Sequence, residues 1–84
     1  MTIYVVSATY IGNFKFRIFF DDGSNGIADL SKLEMIDKRY KTIDTLQIFK
    51  NETFVKTLQA DGMSLSKGNI DISPQFIYEL TQIN

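Results

Sequence analysis

The chain has 84 residues, 44% hydrophobic and 23% charged, with nine Lys and Arg against ten Asp and Glu for a formal net charge of −1. A domain of this size buries only somewhat over ~60% of the surface its unfolded chain exposes, so one domain with one thin core is expected over residues 1–84, and the balanced charge supplies no global field toward DNA or an anionic membrane. His, Cys and Trp are absent, which excludes thiol nucleophiles, disulfides, imidazole bases and the usual ligand sets for zinc, copper or haem.

Ile3 to Ile11 is rich in β-branched and aromatic residues, apolar on both faces near its start, and reads as a first strand suited to an interior position. Gly12-Asn13 follows as a short glycine-containing connection, the signature of an antiparallel hairpin. Phe14, Phe16, Ile18 and Phe20 then recur with period two while Lys15, Arg17 and Asp21 fall between them, the alternation of a strand with one buried and one wet face. Asp22-Gly23 supplies the turn residues for a return at Asp22. Asn25 to Asp29 is a brief third strand completing a meander. Ser31-Lys32-Leu33-Glu34 has the Ser-x-x-Glu spacing of a capping box, read as a short helix or an ordinary loop.

Ile43, Leu46 and Phe49 place three apolar side chains on one face of a short helix ending near Asn51, expected to lie against the sheet. Phe54 to Ala60 returns to alternation, with Phe54, Leu58 and Ala60 on one side, Thr57 and Gln59 on the other, and Lys56 interrupting the apolar side. Asp61-Gly62 before Met63 to Leu65 indicates another hairpin. Gly68-Asn69 breaks the chain before Ile70-Asp71-Ile72. Ser73-Pro74 is a helix start, serine as N-cap and proline in the first turn, and Phe76, Ile77, Leu80 and Ile83 give that helix one apolar face. The order predicts an α+β fold: a small antiparallel sheet made of an N-terminal meander and a second hairpin, with short helices, including the C-terminal one, packed on one side.

With the elements placed, the chain resembles the bacterial family called domain of unknown function 2442. The resemblance rests on Phe20-Asp21-Asp22-Gly23, Asp29-Leu30-Ser31, Leu46, Phe54, Asp71-Ile72-Ser73-Pro74 and Tyr78, and spans almost the whole length. Family members commonly carry a Trp-Pro-Asn-Gly-like turn where this chain has Ser66-Lys67-Gly68-Asn69. The resemblance implies no activity and no functional residues; it implies a small standalone or appended domain, in some cases beside DNA-binding helix-turn-helix domains, with an antitoxin-like partner role.

Among candidate sites, Asp21-Asp22 is an acid pair of the kind that shares a cation, but its place beside Gly23 marks turn residues; Asp29 and Asp71 fit local capping. No calcium-loop or phosphate-cradling pattern occurs, so neither enzyme activity nor a cofactor is expected. An enzyme would need a concavity gathering Lys67, Asp71 and Tyr78. Lys38-Arg39-Tyr40-Lys41 places three cations around an aromatic ring, the composition of a nucleic-acid patch that Lys15 and Arg17 would extend. Phe19 falls in the out-facing register between Arg17 and Asp21: it is core if both sheet faces are covered, or, with a Tyr of the first strand, an apolar spot on an open side. The expected function is a non-enzymatic protein–protein interaction module, homodimeric or bound to a partner, working through Lys15, Arg17 and Phe19; the alternative is a nucleic-acid-associated regulator using Lys38, Arg39, Tyr40 and Lys41. No apolar run approaches the ~20 residues that span a bilayer, and Met1-Thr2-Ile3-Tyr4 lacks a basic signal region, so the expectation is a cytoplasmic protein without a membrane partner.

Overall fold

The computed structural model describes residues 3–33 and 49–83. Its elements run β1 (Val5–Gly12), β2 (Lys15–Phe20), β3 (Asn25–Asp29), a 3-10 turn (Leu30–Lys32), α1 (Glu52–Val55), β4 (Gln59–Ala60), β5 (Leu65–Lys67), β6 (Ile70–Ile72) and α2 (Pro74–Thr81). Among these residues the strands form two three-stranded antiparallel sheets in the orders β1-β2-β3 and β4-β5-β6. The protein is therefore α+β as expected, with β6 adding a third strand to the second hairpin. The expected helix through Ile43 and Leu46 lies outside the described residues; Phe49 is described and buried.

The centre of the first sheet is β2, where Phe16, Ile18 and Phe20 are buried and Lys15, Arg17 and Phe19 exposed. β1 is not interior: it lies at the sheet edge, with Val6 57% and Ile11 51% exposed. Its register shows why apolar residues crowd both sides. Val5 pairs with Phe20 but Ser7 with Phe19, and Tyr10 pairs with Phe16 but Gly12 with Lys15, so Val6 and Ile11 are the extra residues of two β-bulges rather than members of a second covered face.

The connections are set by backbone sterics. Between β1 and β2 the two central residues, Asn13 (φ 54°) and Phe14 (φ 65°), are both left-handed, the requirement of a type I′ hairpin turn. Phe14, expected to begin the strand, is thus in the turn. Its N–H donates to the Tyr10 hydroxyl at 3.0 Å and its carbonyl accepts from Leu30 N at 2.8 Å. Between β2 and β3, Phe20 N–H donates to Ser24 O and Gly23 N–H to Phe20 O, enclosing a three-residue loop in which Gly23 alone takes positive φ, 90°. Asp22 contributes differently, accepting from the Ser24 N–H at 2.9 Å and hydroxyl at 2.6 Å.

Two local expectations are corrected by caps. The 3-10 turn is capped by Asp29, whose carboxylate accepts from Ser31 N; Ser31 is inside the turn and donates its own hydroxyl to Asp29 at 2.6 Å. Phe54 to Ala60 is not a strand: Asn51 accepts the Thr53 N–H on its side chain at 2.9 Å and the Val55 N–H on its carbonyl at 3.0 Å, which winds Glu52–Val55 into α1 and leaves only Gln59–Ala60 extended. Similarly, Met63 belongs to the four-residue loop between β4 and β5 and is exposed.

The core is one cluster in which Phe16, Ile18, Phe20 and Ala28 of the first sheet join Ile77 and Leu80 of α2, with Val55, Leu58, Leu65 and Ile72 from the second half. α2 covers the inner face of the first sheet, Tyr78 meeting Phe20 edge-on at a centroid distance of 5.3 Å. Gly26 admits the close approach, since a Cβ there would lie 2.9 Å from Thr81 Cβ. The two halves are bonded where Val5 N–H donates to Met63 O at 2.9 Å, and where the Tyr10 hydroxyl donates to Glu52.

Candidate interaction face

With the inner side of the first sheet sealed by α2, the opposite side has no covering layer among the described elements. Antiparallel pairing puts opposed residues on the same face, so the register defines the composition of the open side. Phe19 stands between Ser7 of β1 and Asn25 of β3, Arg17 between Thr9 and Ile27, and Lys15 between Gly12 and Asp29. Phe19 is 43% exposed, against 1% for Phe16 on the inner face, so Phe19 is an exposed apolar residue on a face that no described element covers. Burying such a side chain is favourable by about 25 cal/mol for each Å² taken from water.

Of the two tyrosines in the segment read as the first strand, Tyr10 is not a companion to Phe19. Tyr10 belongs to the inner side, its ring 5.0 Å from that of Phe16 in an edge-on contact, and burial together with its hydrogen bond to Glu52 raises the Tyr10 hydroxyl above the ordinary tyrosine pKa. The apolar additions come from the bulges, where Val6 shares the position opposite Phe19 with Ser7, and Ile11 shares that opposite Lys15 with Gly12. Sequence reading missed both because a bulge leaves no mark in period-two alternation; the excess of β-branched residues in an edge strand was the available signal.

Lys15 and Arg17 are exposed and make no ion pair among the described residues. The acids at the margins of the face are engaged elsewhere: Asp21 accepts from Tyr4 N at 3.0 Å and Asp29 from Ser31 N at 3.0 Å. Lys38, Arg39, Tyr40 and Lys41 lie outside the described residues.

The acidic candidates resolve into turn chemistry. Asp22 is lowered from its ordinary pKa by the Ser24 hydroxyl and N–H. Asp61 accepts from Ser64 N at 2.8 Å, Met63 N at 2.9 Å and the Ser66 hydroxyl at 3.0 Å, and these donors bring its pKa down to about 2. Asp71, expected as a cap, lies within β6 opposite Ser66. A depression of about 270 Å³ is lined by Thr57, Gln59, Ala60, Asp61, Ser66, Lys67 and Gly68; Lys67 is in it, Asp71 and Tyr78 are not. Among the described residues no group of three or more acids is placed to hold a metal ion, and no helix is long and apolar enough to cross a membrane.

No family model, no curated protein and no solved structure matches the chain.

Proposed function

We propose that this protein is a small non-enzymatic protein–protein interaction module whose docking surface is the outer face of the β1-β2-β3 sheet, around Lys15, Arg17 and Phe19. The observation that carries the reading is the 43% exposure of Phe19 at the centre of a sheet whose other face is sealed. An aromatic ring held on a rigid strand presents large apolar area at little entropic cost, the character of an interface anchor. Kinship with domain of unknown function 2442, with an antitoxin-like role, belongs to the same proposal, as does a cytoplasmic location.

The test is a photo-crosslinking amino acid placed at Phe19, and separately at Gln59 as a surface control, in the native host. The expected outcome is an adduct of defined mass from position 19 and none from position 59. Irradiation that leaves the position 19 protein as an unmodified monomer overturns the reading.

A further inference from the structure

An asparagine followed by glycine is the pair at which a backbone nitrogen most readily attacks the preceding side chain, because glycine has no side chain to obstruct the approach. Of the five Asn residues, Asn13, Asn25, Asn51, Asn69 and Asn84, only Asn25 precedes a glycine. Asn25 is exposed at the start of β3, and its carboxamide has no hydrogen-bond partner among the described residues.

The two Asp-Gly pairs could close the same ring, but their carboxylates are held back. Asp22 accepts from the Ser24 N–H and hydroxyl, and Asp61 from Ser64 N, Met63 N and the Ser66 hydroxyl. An ionised carboxylate is moreover a poor electrophile, whereas the amide of Asn25 needs no prior protonation at neutral pH.

What restrains Asn25 is the sheet. The attacking atom is the Gly26 nitrogen, and the register fixes where it points. Phe20 N–H donates to Ser24 O at one end of the β2-β3 pair, and Leu30 N–H to Phe14 O at the other. Bonded and non-bonded pairs alternate between those ends, which makes Ile18 and Gly26 a bonded pair and Phe19 and Asn25 a non-bonded one. The Gly26 N–H is therefore committed to β2, and ring closure requires the first residues of β3 to open. They lie beside the turn, at the end of the strand, where local opening costs less than global unfolding. Gly26 is also where a changed backbone is felt most, since strand and α2 approach so closely there that a Cβ would lie 2.9 Å from Thr81 Cβ.

We propose that Asn25 is a modification site, deamidated spontaneously through a succinimide at a rate set by the opening of β3. The Gly26 nitrogen bonds to Asn25 Cγ, and the side-chain nitrogen leaves as ammonia, taking up the proton that the Gly26 nitrogen loses. Water then adds to one of the two ring carbonyls and breaks its bond to the Gly26 nitrogen, which regains a proton. Opening at Cγ gives aspartate. Opening at the backbone carbonyl gives isoaspartate, whose main chain runs through Cβ and Cγ and is one atom longer. The longer chain displaces Gly26 from Ile18 and Thr81, and either product adds a carboxylate at the position opposite Phe19.

The test incubates the full chain at mildly alkaline pH, folded and in urea, and follows the tryptic peptide of residues 18–32 by mass. Deamidation adds one mass unit, which isomerisation of Asp22 in the same peptide does not. The expected result is conversion at Asn25 ahead of Asn13, Asn51 and Asn69, roughly tenfold to a hundredfold slower in the folded chain than in urea. Asn25→Gln is expected to abolish the mass gain in that peptide. The isoaspartyl form, separated by ion exchange and identified with an isoaspartyl methyltransferase, is expected to melt about 5 °C or more below the parent. Asn25→Asp carries the same charge on an ordinary backbone and is expected to melt within about 2 °C of the parent. Conversion less than tenfold slower in the folded chain, no conversion after a hundred half-times of the unfolded chain, or faster conversion at another Asn overturns the proposal. An Asn25→Asp chain that melts as low as the isoaspartyl form overturns the part assigned to the backbone.

Discussion

Phe14 holds a left-handed backbone conformation at φ 65° that costs an L residue about 1–2 kcal/mol. Its N–H to Tyr10, its carbonyl to Leu30 and its half-buried ring over the core hold it there. Replacing a residue with glycine is ordinarily worse than replacing it with alanine, but here the order reverses. Phe14→Gly is expected to be about 1 kcal/mol more stable than Phe14→Ala in urea unfolding, because glycine keeps the turn without strain while both lose the ring; the usual order would show that the turn is not left-handed at this position. Asp61 gives a second residue-scale expectation. Its folded pKa of about 2 lies below the ordinary 3.8, so its contribution is present above 3.8 and is lost as pH falls toward 2. Asp61→Asn, which cannot titrate, is expected to flatten the dependence of stability on pH across that interval, and a slope equal to that of the parent chain would contradict the assignment.

At the scale of elements, β2, β3 and the start of α2 were readable because each is specified by neighbours in the chain: alternation for Phe16, Ile18 and Phe20, and a cap for Ser73, which accepts the Gln75 N–H at 3.3 Å. α1 was not, since Phe54, Leu58 and Ala60 imitate a strand while the Asn51 cap that winds the segment lies just before it. β1 was found with the wrong surroundings, as its bulges become visible only when paired to β2. The contact of α2 with β3 depends on Gly26, which no periodicity marks. Adding a methyl group there meets Thr81 Cβ at 2.9 Å, an atom fixed to its helix backbone, so Gly26→Ala is expected to lose about 1–3 kcal/mol, seen as a lower midpoint in thermal or urea unfolding. A change under about 0.5 kcal/mol would mean that α2 does not pack this closely.

Among the described residues the molecule is asymmetric about its first sheet, and one pair of substitutions measures that asymmetry. Phe16→Ala, on the sealed side, is expected to cost about 3–5 kcal/mol, typical of a large aromatic removed from a core, whereas Phe19→Ala on the open side is expected to cost less than about 1 kcal/mol. Comparable costs in the two would show that the outer face is covered within the chain, and the proposed docking surface would then be lost. The acids follow the same division between local and global. Asp22, Asp29 and Asp61 accept hydrogen bonds within the turns they make, and Asp29 also stands opposite Lys15 on the outer face.

By itself, the sequence determined the α+β class, the N-terminal meander, the second hairpin and the capped C-terminal helix, because alternation, turn residues and N-caps act over a few neighbouring residues. It also placed Lys15, Arg17 and Phe19 on one face of β2. Only the tertiary structure decided that no described element covers this face, that Val6 and Ile11 are exposed, and that Phe14 belongs to a turn. Those outcomes depend on which side α2 covers and on how β1 is registered against β2, and both are set by contacts between residues far apart in the chain.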